Sequence, residues 1–173
     1  MKLVRKIKNK IKIVNRKYAF WLVNKKCVGT RCFDRKLKAL RRGGYKIGDN
    51  TKIVGPVFIT ADLEIGANCW IGKDFEAQGN GKIIIGDNCD IAPNVIINTG
   101  GHQIGDNTRR AGEGRITNIT VGEGTWIGVR TTILNDTNIG KGNVIAAGSV
   151  VIKSSNDNVL LAGVPAKEKK KLD

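Results

Sequence analysis

The 173-residue sequence predicts an all-β solenoid, a parallel β-helix, on three observations. Cut every six residues, 121–151 reads VGEGTW, IGVRTT, ILNDTN, IGKGNV, IAAGSV, V, and every cut opens on Val or Ile. The same frame is kept upstream by Ile47, Ile53, Ile59, Ile65 and Ile71, and by Ile85, Ile91 and Ile97. The residue four places on is usually small, as at Thr125, Thr131, Thr137, Asn143 and Ser149. Helices repeat at 3.6 residues and strands at 2, so a repeat of six marks short strands joined by tight turns and stacked coil on coil.

Turn chemistry agrees with the frame. Gly follows the β-branched residue at 48, 66, 72, 86, 122, 128 and 140, with Asp or Asn close behind in IGDN at 47–50 and 85–88. These are read as turn residues, Gly taking positive φ without a Cβ clash and Asn and Asp tolerating it. The step from Ile71 to Ile85 is two residues too long, and the Gly79-Asn80-Gly81 turn is expected to absorb the extra pair. From 97 to 121 the frame continues numerically, but its positions are Gln103, Arg109 and Arg115. Such residues cannot stack unpaired in an apolar core, so 98–118 is expected to leave the coil as a loop. Long polar loops on rigid scaffolds tend to carry function, and this one holds the single histidine, His102.

The formal charge of +15 is concentrated at the N-terminus: residues 1–42 contain 16 Lys and Arg and one acid, Asp34. Within 1–24, Leu3, Ile7, Ile11, Val14, Tyr18 and Trp21 form one stripe at helical spacing among lysines and arginines. A basic amphipathic helix of this kind suits an anionic membrane surface; equally, its stripe could cover the open end of the first coil. Nucleic-acid binding is a weaker reading, since no recognisable module accompanies the charge. Residues 25–46 read as a basic connector. The chain thus divides into a basic N-terminal segment (1–44), the repeat (45–159) and a Lys-rich tail (160–173). No apolar run approaches membrane-spanning length, which with the absence of a disulfide pattern predicts a cytoplasmic protein. Cys69 and Cys89 fall at the small inward position, and one histidine is too few for a zinc site.

The repeat, Asn98-Thr99-Gly100-Gly101-His102, the runs Trp126-Ile127-Gly128 and Ala147-Gly148-Ser149-Val150-Val151, and the ending Ala162-Gly163-Val164-Pro165-Ala166-Lys167 together resemble the hexapeptide-repeat acyltransferases. The similarity covers roughly residues 45–170 and is to the branch with maltose, galactoside and streptogramin acetyltransferases. It implies a left-handed parallel β-helix, although ordinary parallel crossovers are right-handed. It also implies a homotrimer with sites between neighbouring subunits and acetyl-CoA as donor; with one histidine, no metal is expected. By the same resemblance His102 is the general base that takes the acceptor hydroxyl proton. A backbone N–H near Gly128-Val129 is the candidate oxyanion donor. Val129, Ala147, Lys153 and Lys167 are the candidate CoA contacts. Gln103 follows the histidine where the family often has Pro. Direct attack without an acyl-enzyme is expected, because no serine lies in a nucleophile-elbow pattern. The leading function is O-acetylation of a sugar in bacterial surface-polysaccharide synthesis. The alternatives are a small sugar, an amino sugar, a streptogramin, or a non-catalytic scaffold binding an anionic surface. Glu76 and Asp90 are the candidates for orienting His102.

Overall fold

A computed structural model describes residues 2–134 and 136–173. The chain is a left-handed parallel β-helix with a triangular cross-section. The first face stacks Lys46–Ile47, Asp62–Ile65, Lys82–Ile85, Ile119–Val121 and Asn138–Ile139. The second stacks Lys52–Ile53, Trp70–Ile71, Asp90–Ile91, Trp126–Ile127, Val144–Ile145 and Val159–Gly163. The third stacks Val57–Ile59, Phe75–Gln78, Ile96–Asn98, Thr132–Leu134 and Val150–Val151. Ladder partners such as Ile47 and Ile65, or Ile127 and Ile145, lie eighteen residues apart, which is three hexads per coil.

All fourteen frame positions are buried. Each Ile or Val sits on its equivalent in the coils above and below, removing apolar surface from water at about 25 cal/mol per Å². Thr125, Thr131, Thr137, Asn143 and Ser149 are buried too, and so are Cys69 and Cys89. Their hydroxyls and amides satisfy corner backbone groups; Thr125 Oγ1, for example, donates to Gly140 O at 3.1 Å. The extra pair near residue 80 sits at a corner as expected: Leu63 pairs with Ile83 and Ile65 with Ile85, an offset of twenty, while Asp62 N–H reaches Gly81 O at 3.0 Å.

The glycines after the frame residues are needed for a reason other than positive φ. A Cβ on Gly48, Gly66, Gly86, Gly122 or Gly128 would lie within 2.6 Å of backbone or side-chain atoms in the next coil. Positive φ falls two places later instead, at Asn50, Asn68, Asp74, Asn88 and Asn94, and at Gly124 and Gly142. Arg130 occupies the same position with φ 58°. Gly86→Ala, whose Cβ would meet Glu123 N at 2.6 Å, is therefore expected to cost about 1–3 kcal/mol, roughly 5 °C in Tm. Arg130→Gly should hold or raise Tm, because it relieves a left-handed backbone. Thermal unfolding of the pair checks both; a lower Tm for Arg130→Gly would refute the strain.

At the N-terminus, helix α1 (Lys2–Trp21) continues through one π-turn (Leu22–Lys26), and a second helix, α2 (Phe33–Arg42), occupies the segment read as a connector. Together they cover the open end of the solenoid by polar contacts to the first strand of every face. Arg41 Nε donates to Ile47 O at 2.7 Å on the first face. Lys36 Nζ donates to Ile53 O at 2.9 Å on the second. The Asn24 amide exchanges two 2.9 Å hydrogen bonds with Val57 on the third, as a neighbouring strand would. Ala19, Leu22, Val23 and Leu40 are buried beneath.

The apolar stripe has no part in this cap. Ile7, Ile11, Val14, Tyr18 and Trp21 are all exposed; the Leu3 side chain lies outside those described. No described helix is long and apolar enough to cross a membrane. At the other end, Val159–Gly163 does not leave the solenoid but extends the second face by a further strand, and Ala166–Lys171 pairs back on it antiparallel. All four cysteines are free.

Candidate active site

The loop at 98–118 is anchored by two threonines. Thr99, fully buried, donates through Oγ1 to Gln78 O and accepts from Gly81 N–H, both at 3.1 Å. Eighteen residues later Thr117 rests on it, with N–H and Oγ1 donating to Thr99 O at 2.9 and 3.0 Å. Between them the chain projects from the third–first corner as an antiparallel hairpin, Gly100–Ile104 against Ala111–Ile116. Gly105 and Gly112 approach closely near the tip, where a Cβ on Gly105 would collide with Arg109 O, and Asp106 closes the tip by accepting from the Thr108 hydroxyl and from the Thr108 and Arg109 N–H groups. Those bonds, the hydroxyl's first, hold the Asp106 carboxyl below its ordinary range.

His102 lies on the outgoing strand opposite Gly114, exposed to solvent. Its Nδ1 is 2.8 Å from Gly112 O. A carbonyl can only accept, so Nδ1 carries the proton and the neutral ring presents its lone pair at Nε2. The orienting group is thus a backbone carbonyl across the hairpin. Neither earlier candidate serves: the Glu76 carboxylate accepts from the Gln78 amide, and Asp90 points outward from the second face. His102 opens on a cleft of about 570 Å³ lined also by Gly79, Asn80, Asn98, Arg115 and Ile116. Arg115 and Asn98 were not singled out from sequence as site residues. The hairpin register that brings Arg115 opposite Gly101 has no periodic signature. Asn98 accepts from Gly100 N–H at 2.8 Å and sets the exit of the strand.

The four candidate donor contacts are not all together. Val129 and Ala147 stack at the second–third corner on successive coils, joined by Gly148 N–H to Val129 O at 2.8 Å. Ala146, Ala147 and Gly148 put little side-chain bulk there, leaving exposed backbone along which a long thin ligand could lie. Lys167 is near the same corner, because it pairs with Ala162 while Ala146 N–H bonds Leu161 O at 2.9 Å. Lys153 lies past Val150–Val151 toward the next corner and is separate from the other three. Half-exposed Trp126 and Val129 leave apolar surface beside this corner. Along the third face it is about one hexad from the hairpin, on the order of 20 Å at 3.3 Å per residue. Ile104 and Ile116 on the hairpin are also exposed, at 90% and 67%. Among the described residues no His, Cys, Asp and Glu group could hold a metal.

No family model matches the sequence. Individual proteins do. The chain is 44% identical over 145 residues to the Saccharomyces cerevisiae protein YJL218W, named as an acetyltransferase, covering 80% of this chain and 72% of that one. It is 38% identical over 127 residues to galactoside O-acetyltransferase of Escherichia coli, covering 70% and 61%. To WcaF of Escherichia coli, named for colanic acid biosynthesis, it is 34% identical over 129 residues, covering 73% and 69%. A galactoside acetyltransferase solved in complex with coenzyme A superposes with a TM-score of 0.80 at 28% identity, over 94% of this chain and 81% of that one.

Proposed function

Because the chain belongs to the hexapeptide-repeat acetyltransferases, an acetyl-CoA-dependent group of the galactoside and maltose type, we propose that it acetylates a sugar hydroxyl. The observation that carries the proposal is His102. Its Nδ1 is tied to Gly112 O, which leaves Nε2 as the unprotonated nitrogen, and the residue lines a cleft with room for a sugar ring. In this reading Nε2 removes the acceptor hydroxyl proton as the oxygen attacks the thioester carbonyl; the tetrahedral intermediate then expels the CoA sulfur, which takes that proton back from the imidazolium, with no acyl-enzyme. The attack needs the acetyl group within about 3.5 Å of that oxygen. The Val129–Ala147 corner, with Lys167 for the donor phosphates, is a whole face away in the same chain. Two copies, one giving the hairpin and the other the corner, complete the site, and a homotrimer closes three of them symmetrically. The exposed Ile104, Ile116 and Trp126 are apolar surfaces that such a neighbour would cover.

The acceptor we favour is a surface polysaccharide or its precursor, on the likeness to WcaF and on a cleft whose lining is largely exposed to solvent. The cleft's polar lining, Asn80, Asn98 and Arg115, provides donors and acceptors suited to hydroxyls. The test is thiol release from acetyl-CoA across simple sugars, amino sugars, sugar nucleotides, lipid-linked glycan extracts and streptogramins, with the mass in solution measured by light scattering. Release with glycan acceptors by a particle of three chains is expected. Release only with free amino sugars or streptogramins would overturn the acceptor, and a monomer with full activity would overturn the shared site.

A further inference from the structure

Helix α1 is mounted with its polar side inward. Arg16 Nε donates to Gly43 O at 3.3 Å and its guanidinium lies 4.7 Å from the Tyr45 ring centre. Asn15 reaches Arg42 O at 3.4 Å, and Ala19 beside them is fully buried. The opposite side carries Val4, Ile7, Ile11, Val14, Tyr18 and Trp21, each between 48% and 64% exposed. At 3.6 residues per turn these six form one continuous stripe. The same geometry puts Lys6, Lys10 and Lys17 along one border and Lys8 along the other. Tyr18 and Trp21 pack ring to ring at 5.9 Å at the end nearest the solenoid. Among the described residues nothing covers the stripe. An amphipathic helix normally buries this face; here a water-exposed apolar strip is held out from a rigid body.

We propose that α1 lies flat on an anionic lipid surface, with Ile7, Ile11, Val14, Tyr18 and Trp21 in the headgroup–acyl boundary and the bordering lysines on lipid phosphates. Charge selects this occupant. Residues 2–21 contain eight Lys and Arg and no acid, and the first acid in the chain is Asp34. A second copy docking by the same face would bring eight further positive charges against them. A nucleic acid would satisfy the lysines but leave the apolar strip wet. Tyr and Trp are side chains that prefer the membrane–water boundary. The inference does not depend on the acceptor, and an inactive protein could still bind lipid.

The test is co-sedimentation of the full-length chain with phosphatidylcholine vesicles, with and without phosphatidylglycerol. Binding is expected only with the anionic lipid, and it should weaken as salt is raised. Ile11→Asp with Val14→Asp should lower affinity by at least about 100-fold. Lys6, Lys10 and Lys17 changed together to Gln should do so by about 100-fold. A blue shift of tryptophan emission on vesicles should disappear in Trp21→Phe. None of these side chains joins the cap, so melting temperatures should match the parent and a folding defect would be visible separately. Three outcomes overturn the proposal. The Asp variant could bind as well as the parent; the parent could ignore anionic vesicles; or lipid-free light scattering could fall to a smaller mass in the Asp variant, which would assign the stripe to another copy.

Discussion

His102→Ala should lower acceptor-dependent thiol release by about 10²–10⁴-fold, the range expected when a positioned general base is lost. Donor affinity should change little, because in the shared site the imidazole meets the acceptor hydroxyl while the donor is held by the Val129–Ala147 corner and Lys167 of the neighbouring copy. The separation between kcat and donor affinity is the informative part. A purely structural histidine would disturb both by loosening the hairpin, whereas here the hairpin keeps its anchorage at Thr99 and Thr117 when the single imidazole bond to Gly112 O is lost. Steady-state kinetics with calorimetric acetyl-CoA binding on one preparation checks this. A loss of less than tenfold, with folding intact, would remove His102 from the chemistry.

Lys36→Met should cost about 3 kcal/mol of folding stability, or roughly 6–12 °C at this chain length. The side chain is fully buried, and its ammonium serves Gly29 O at 2.5 Å and Ile53 O at 2.9 Å. Methionine fills similar volume but leaves two carbonyls at the solenoid end without a donor. Burial lowers the Lys36 pKa below its ordinary value of 10.5, with smaller opposing contributions from Cys27 and Cys32. The folded chain therefore holds this proton less tightly than the unfolded one. The cost of charging it is present in full below the folded pKa and fades as pH rises toward 10.5. The parent's advantage over Lys36→Met should widen across that window. Calorimetric melts at neutral and alkaline pH measure it; a constant or shrinking gap would contradict the burial argument.

The solenoid is legible in the sequence because every coil repeats one physical requirement, a β-branched side chain stacked on its equivalents. Period alone, however, cannot say which turn residue bears the left-handed backbone. The glycines looked suited to it, but close approach of the next coil governs them, and Asn50, Asn68 and Asn88 carry the positive φ. Helix α2 is obscured for a different reason. Its inward face includes a lysine, so FDRKLKALRR reads as a solvated connector until the carbonyls it serves are seen. In the site, His102 is conspicuous as the only histidine in a loop that could not remain in the core. Gly112 and Arg115 were not readable, because hairpin register depends on a bulge after His102 and not on any repeat.

Thr117 sits on Thr99 as though no residues intervened, because the hairpin between them leaves and re-enters on a single rung. The coils on either side therefore carry no record of what is inserted there. A hairpin of another length or composition could be exchanged at those two threonines without altering any ladder register. Acceptor preference and solenoid stability would then be separate, tradable properties of one chain. The scaffold is a fixture and the hairpin its interchangeable tool.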